Sequence, residues 1–188
     1  MVRWLFALAL LIGLPVQALE MAGTAIPDSI RVDSAARRLT LAGDSMTNRQ
    51  YMPFYGVALH LPRQRPRRAV LVQGLAACRI TLVWFAHDLS ADDVAEYFRS
   101  RFNSPGADPE ILTRIQPRVE QLLAYMPEVE RGMAMTFDYD PDRGMIFSVD
   151  GVPKVSLAGV EFNRRLLGLW LGDDADDELR MALLAESP

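Results

Sequence analysis

The stretch MAMTFDYDPDRGMIFSVDGVPKVSL, residues 133–157, decides the fold class. Its β-branched and aromatic residues fall into three runs, at 133–139, 145–149 and 152–157. Short turn sequences separate these runs, and the pair Asp150-Gly151 is a strong signal for a two-residue β-hairpin. The stretch therefore predicts a three-stranded antiparallel meander.

Four further strand candidates precede the meander. They lie at residues 29–32, 38–41, 49–61 and 79–85, and the third of them is interrupted near Pro53. The third is rich in Tyr, Phe and Val, and the fourth consists largely of β-branched and aromatic residues, which favour strands. Because most neighbouring strands are joined by short connections, we expect a large antiparallel sheet.

Helices are predicted in the middle and at the end of the chain. Ser90 followed by Asp93 resembles a capping box. An apolar stripe with helical spacing runs over residues 111–126, and Pro117 is expected to kink this helix or to begin a second segment. Together with the sheet, this pattern indicates an α+β fold with a helical layer packed on one face. The remaining helices are predicted at residues 70–76, at 160–171 and from about 177.

The N-terminus has the features of a cleavable signal peptide. Arg3 supplies a positive charge, and Trp4–Leu14 is a run of eleven residues that is apolar apart from Gly13. Crossing a bilayer requires about 20 apolar residues, so this run is too short to serve as a membrane anchor. The sequence therefore predicts export.

Small residues mark two candidate cleavage sites, after Ala18 or after Ala22. We predict a signal peptide over residues 1–18 and one domain over residues 19–188. The mature protein is expected to be periplasmic or secreted. No later apolar run approaches membrane-spanning length, so we do not expect an integral membrane protein.

The charge balance argues against a nucleic-acid partner. The formal net charge of the chain is −4, and loss of Arg3 with the signal peptide makes it about −5. The basic run at 63–68 contains a proline and is expected to be a solvated loop. Cys78 is the only cysteine, which excludes an intramolecular disulfide, and its apolar surroundings favour a buried, inert thiol.

The sequence carries no motif for catalysis, metal binding or a cofactor. The acidic segment Asp138–Gly144 does not have the spacing of a calcium loop and favours a hairpin turn. The acidic residues at 173–177 precede the last helix, where its dipole favours them. His60 and His87 lack other ligands at the spacing that zinc requires.

Three further groups of residues carry a family resemblance. They are LAGDSMTNRQYMPFYGVALHL (41–61), FAHDLSAD (85–92), and the set DYDPDRG (138–144), VDG (149–151), GVEF (159–162) and LLGLWLGD (166–173). In this order and spacing they resemble the bacterial chalcone isomerase-like family over about residues 29–184. The resemblance implies an open-faced β-sandwich with a ligand cleft between the sheet and the helices.

The resemblance also implies where a ligand would bind. Enzymes of this fold cyclise chalcones to flavanones with an arginine that holds the substrate oxyanion, whereas related plastid proteins bind fatty acids without catalysis. The family's arginine position falls on Thr47, and the enzyme's threonine position falls on Tyr55, the residue type of the fatty-acid binders. Arg49 lies two residues beyond Thr47 and would restore the cation if the segment is extended; otherwise it is an ordinary hairpin residue.

These features lead to an expected function and two alternatives. We expect an exported, non-catalytic protein that binds a small apolar ligand, a fatty acid or a similar amphiphile, in the sheet–helix cleft. Thr47, Arg49 and Tyr55 are the candidate ligand-binding residues, and no catalytic residue, metal or cofactor is expected. The alternatives are an intramolecular lyase of the chalcone–flavanone isomerase type and an interaction protein without a ligand.

Overall fold

The computed structural model describes residues 18–32, 37–104 and 106–185, so that residues 1–17 of the predicted signal peptide lie outside it. The described strands are Leu19–Met21 (β1), Thr24–Ile26 (β2), Ser29–Val32 (β3), Arg37–Arg49 (β4), Met52–Pro62 (β5), Cys78–Trp84 (β6), Ala134–Asp140 (β7), Gly144–Val149 (β8) and Val152–Leu157 (β9). The described helices are Arg68–Val72 (α1), Ala91–Phe102 (α2), Pro109–Leu123 (α3), Val160–Leu171 (α4) and Asp177–Leu184 (α5).

Seven strands form one antiparallel sheet in the order β3-β4-β5-β6-β7-β8-β9. Each strand pairs with its neighbour in sequence, so the sheet is a continuous meander. The β8–β9 turn has positive φ angles at Asp150 (47°) and Gly151 (75°), as a two-residue hairpin of this type requires. The predicted α+β class and antiparallel sheet are confirmed.

The β4–β5 hairpin differs from the sequence prediction. The predicted strand at 49–61 is in fact the last residue of β4, a turn and β5, and the break falls at Gln50 and Tyr51 rather than near Pro53. Both turn residues have positive φ, 51° and 66°. Neither is glycine or asparagine, so the sequence lacks the usual signal for such a turn.

β4 is also much longer than its predicted core at 38–41. The strand continues through Gly43 as far as Arg49, with a register shift between Leu41 and Gly43. A glycine weakens a strand pattern in sequence, but here helix α5 lies directly against it. A Cβ atom on Gly43 would lie only 2.6 Å from the carbonyl oxygen of Leu183. The glycine therefore allows the helix and the strand to approach closely.

Helices α2 to α5 lie close to their predicted positions, whereas α1 begins and ends earlier than the predicted range of 70–76. Ser90 caps α2 and forms the predicted capping box with Asp93. Helix α3 contains Pro117 without a break in the helix assignment, so the second segment allowed by the sequence does not form. Among the described residues, none of the helices is sufficiently long and apolar to span a bilayer.

Helices and a small hairpin cover opposite faces of the sheet. Tyr55, Val57 and Leu59 of β5 belong to the large core that includes residues of all five helices. The alternate residue Ala58 packs with Met21 and Ile26 of the β1–β2 hairpin, which the sequence did not predict. We call this second side of the sheet the outer face. Central strands buried on both faces explain why β5 is apolar almost throughout.

Several polar groups on the outer face form specific contacts. Arg79 of β6 forms a bidentate salt bridge with Asp138 of β7, with distances of 2.5 Å from Nε to Oδ1 and 2.7 Å from Nη2 to Oδ2. The Nε2 atom of His60 lies 2.8 Å from the carbonyl oxygen of Pro27. This contact joins the segment after β2 to β5, and burial lowers the pKa of His60.

We predict opposite effects for two glycine-to-alanine substitutions. Gly43→Ala should destabilise the protein by about 1–3 kcal/mol, because the new methyl group overlaps the α5 backbone. Gly168→Ala, in the interior of α4, should stabilise it by about 1 kcal/mol, because a Cβ there meets nothing within 4 Å. Urea unfolding of both variants measures the difference. Equal stability of the two variants would contradict the close contact between β4 and α5.

Candidate functional site

A surface groove opens where the end of the β4–β5 hairpin faces helix α2. Its volume is about 550 Å³, within the range of about 300–1,000 Å³ typical of small-molecule sites. Phe54, Leu89 and Tyr97 give it apolar surface, and the other lining residues are polar or charged. The complete lining is Thr47, Asn48, Arg49, Phe54, Leu89, Asp93, Glu96, Tyr97 and Ser100.

A β-bulge shapes the wall of this groove. Thr47 pairs with Tyr55 but the next residue, Asn48, pairs with Pro53, so Phe54 is an extra residue on β5. The bulge lets two consecutive side chains face α2, which an uninterrupted strand does not permit. Phe54 and Tyr55 are both buried, and their ring centroids lie 5.1 Å and 6.0 Å from that of Tyr97.

Thr47 lines the groove, but its hydroxyl group is already engaged. Its Oγ1 donates a hydrogen bond of 3.0 Å to the carbonyl oxygen of Tyr55 across the strand pair. A hydroxyl group has one hydrogen to donate. Thr47 therefore reinforces the strand pairing at the bulge and has no second donor for a ligand.

Arg49 lies on the same groove as Thr47, as the extended geometry predicted. Its Cζ atom is 5.5 Å from the ring centroid of Phe54, which is cation–π distance. Within the described residues, no carboxylate forms a salt bridge with Arg49. The guanidinium group of this exposed residue thus lies over an aromatic ring and keeps donors that can bind a ligand.

Tyr55 lies beneath the groove and not on its surface. It is 1 % exposed, and its hydroxyl oxygen is 2.8 Å from the hydroxyl oxygen of Tyr97. Sequence reasoning did not single out Tyr97 as a groove residue, because helical spacing alone does not show which side chain of another element it meets. Burial is the main cause that raises the pKa of Tyr97, and the neighbouring Tyr55 raises it further. The hydroxyl group of Tyr97 therefore stays protonated at neutral pH.

Two acidic residues of α2 face Arg49 across the groove. Hydrogen bonds from the side chain and backbone of Ser90 lower the pKa of Asp93, which is therefore ionised at neutral pH. Glu96 forms a salt bridge of 2.8 Å with Arg99. The groove is consequently not a simple cationic pocket, and Arg49 is its single positive lining residue.

A second cavity of about 470 Å³ adjoins the groove on the other side of Tyr97. It lies between β4, α2 and the start of α5. The two cavities share Thr47, Asn48 and Tyr97, so Tyr97 stands at their junction. The other residues lining the second cavity are Ser45, Met46, Arg101, Asp176, Glu178 and Leu179.

Large side chains fill the layer between the sheet and the helices. Phe98 of α2, Phe137 of β7 and Trp170 of α4 are fully buried, and their ring centroids lie 5.4–6.3 Å apart. These three side chains therefore pack directly against one another between the sheet and the helices. The groove lies at the mouth of the sheet–helix interface, the two layers between which the resemblance implies a ligand cleft.

The family assignment follows from this arrangement together with the sequence. The profile described as chalcone isomerase-like matches residues 18–185, which is nearly the whole described chain. The chain belongs to the chalcone isomerase-like family. No curated protein matches it.

A solved structure supports the same fold. The chain is similar to the crystal structure of an Arabidopsis thaliana fatty-acid binding protein, with 15 % sequence identity and a TM-score of 0.67. The match covers 87 % of this chain and 92 % of that chain. At this identity the similarity establishes the shared fold alone. The roles of the groove residues follow only from their own contacts in this chain.

No metal site accompanies the groove in the part of the chain that the structure describes. Searching residues 18–32, 37–104 and 106–185 finds no group of three or more His, Cys, Asp or Glu side chains that could hold a metal ion. His87 contacts only its neighbour Asp88, while His60 is on the outer face.

Cys78 is predicted to be unreactive in the folded protein. It is fully buried at the start of β6, and this burial raises the pKa of its thiol to about 12. Because the thiolate is the reactive form, iodoacetamide at pH 8 should leave the native protein unmodified and should alkylate it fully in urea. Mass spectrometry gives the readout. Rapid alkylation of the native protein would show that this strand end opens.

Proposed function

We propose that this protein is an exported, non-catalytic member of its family that binds a small amphiphile, such as a fatty acid, in the groove. The observation that carries the proposal is the position of Arg49, whose guanidinium group lies over Phe54 at one end of a partly apolar groove. A cation beside an aromatic wall matches a ligand with one polar end and an apolar tail. The fatty-acid binding described for the Arabidopsis thaliana structure agrees with this class of ligand.

The energetics of the groove suit a medium-length chain. Each methylene group removed from water contributes about 0.8 kcal/mol. Ten such groups would contribute about 8 kcal/mol, which is about the free energy of a micromolar complex before ordering costs are subtracted. The polar end would remain at Arg49, where a carboxylate keeps a cationic partner and is not buried without compensation.

The contacts of Thr47 favour binding over catalysis. An enzyme that forms an oxyanion needs a preorganised donor, and loss of one such donor typically costs about 100- to 1,000-fold in rate. The residue at the family's arginine position is Thr47, and its hydroxyl hydrogen is donated to the carbonyl oxygen of Tyr55. We therefore expect no cyclisation of chalcones above the spontaneous rate.

Arg49→Ala should selectively weaken the binding of a carboxylate. Displacement of a fluorescent fatty acid from the purified, lipid-stripped protein measures affinity for dodecanoate and dodecanol. Because Arg49 is exposed, loss of its charge should reduce dodecanoate affinity by about two- to fivefold, with dodecanol close to the wild-type value.

Arg131→Ala is the matched control for this experiment. Arg131 also lies over a phenylalanine, with its Cζ atom 5.3 Å from the ring centroid of Phe85, but it is not part of the groove lining. This variant should bind both ligands like the wild type. Absence of saturable binding to the wild-type protein would refute the binding function, whereas equal loss in both arginine variants would refute only the role of Arg49.

The position of β1 supports cleavage after Ala18 rather than Ala22. Leu19 is the first residue of β1, and Met21 is 5 % exposed in the outer-face cluster. Cleavage after Ala22 would remove this strand together with its buried methionine. Expressed in a Gram-negative host, the protein should be found in the periplasmic fraction with Leu19 as its first residue, as intact-mass measurement would show. An uncleaved chain in the cytoplasm would contradict export.

A further inference from the structure

One hydrogen bond joins the hydroxyl groups of Tyr55 and Tyr97. It uses only one of their two hydroxyl hydrogens. Their oxygen atoms are 2.8 Å apart, and either group could be the donor. Each tyrosine carries one hydroxyl hydrogen and can also accept. Whichever group donates in this pair, the other hydroxyl hydrogen needs a different acceptor.

The two possible directions differ in cost. If Tyr97 donated to Tyr55, the Tyr55 hydrogen would remain without an acceptor in the described interior, where Tyr55 is 1 % exposed. The neighbouring Trp84, whose ring centroid is 5.2 Å away, offers only an N–H donor that itself lacks a partner among the described residues. An unsatisfied buried polar group typically costs about 1–3 kcal/mol.

The opposite direction leaves neither hydroxyl hydrogen both buried and unpaired. When Tyr55 donates, its hydrogen is satisfied by the Tyr97 oxygen. The remaining hydrogen then belongs to Tyr97, which is only partly buried and lines both the groove and the adjoining cavity. There it can bind water or a ligand.

We infer that Tyr55 orients Tyr97 and that the Tyr97 hydroxyl group donates a hydrogen bond to an acceptor oxygen of the ligand. This inference rests on the proposed function and narrows its ligand class. The polar part of the ligand must present a carboxylate, ester or ketone oxygen at the junction of the two cavities. A group with donors only, such as an alkylammonium ion, cannot accept the Tyr97 hydrogen.

The inference assigns different roles to the two tyrosines. Tyr97 contacts the ligand, while Tyr55 is a positioning residue that acts through Tyr97. Thr47 supplies no competing donor, because its own hydrogen is held by the Tyr55 carbonyl oxygen. Tyr97 thus supplies a neutral donor, and Arg49 supplies a charge at the outer end of the groove.

The test compares Tyr97→Phe and Tyr55→Phe with three probes: dodecanoate, methyl dodecanoate and dodecylammonium. Tyr97→Phe should weaken the ester about tenfold, because it removes one neutral hydrogen bond, and should weaken dodecanoate at least as much. Dodecylammonium binding should be equal in Tyr97→Phe and the wild type. Tyr55→Phe should keep most of the affinity for the ester, because the Tyr97 donor remains.

Infrared spectroscopy provides a readout that can be taken on the wild-type protein before any variant is tested. With ¹³C-carbonyl methyl dodecanoate bound to the wild-type protein, a hydrogen-bonded carbonyl stretch lies at lower frequency than in an apolar solvent. The shift should persist in Tyr55→Phe and disappear in Tyr97→Phe, and near-UV circular dichroism checks that both variants are folded.

Several outcomes would overturn the inference. An unshifted carbonyl band in the wild-type complex, or unchanged ester affinity in folded Tyr97→Phe, would show that Tyr97 does not donate to the ligand. Tighter binding by Tyr55→Phe would show that Tyr55 had been accepting the Tyr97 hydrogen. If the wild-type protein binds none of the probes, the proposed function itself fails, which distinguishes that result from failure of the inference alone.

Discussion

The pairing of β4 with β5 at the bulge determines the geometry of the groove. Because Asn48 pairs with Pro53 directly after Thr47 pairs with Tyr55, Phe54 is added to one strand only. In a regular strand Phe54 would point away from Tyr55 to the outer face. With the bulge, Phe54 supports the guanidinium group of Arg49 while Tyr55 reaches Tyr97 on α2.

The charges around the groove are weaker determinants of binding than their number suggests. Asp93 is held in its capping box, and Glu96 is paired with Arg99. Interactions between exposed charges are modest and fall with salt. Arg49 therefore attracts an anionic end without fixing it tightly. The partly buried hydroxyl pair of Tyr55 and Tyr97 offers a more directional contact, since a donor shielded from water discriminates more strongly among ligands.

Local signals made much of the fold predictable. The Asp150-Gly151 turn, the Ser90 cap and the bounds of α4 depend on neighbouring residues, and each was found from sequence. The Gln50-Tyr51 turn was missed because two left-handed residues without glycine or asparagine are stabilised by the strand pairing around them. Tyr97 was not identified as a site residue, because helical spacing cannot show that its hydroxyl group meets Tyr55 from another element.

The placement of the cation explains how one fold can support binding without catalysis. Thr47 occupies the position where the resemblance places the family's arginine, and the positive charge lies two residues further along β4, at Arg49. Two strand residues correspond to about 7 Å, and Arg49 is an exposed lining residue, so its guanidinium group lies at the rim of the groove. A carboxylate at the rim keeps contact with water and is held at little desolvation cost. Oxyanion stabilisation needs the opposite, a cation or donor fixed in a water-excluded site. Moving the charge outward therefore favours holding an anionic head group over stabilising a transition state.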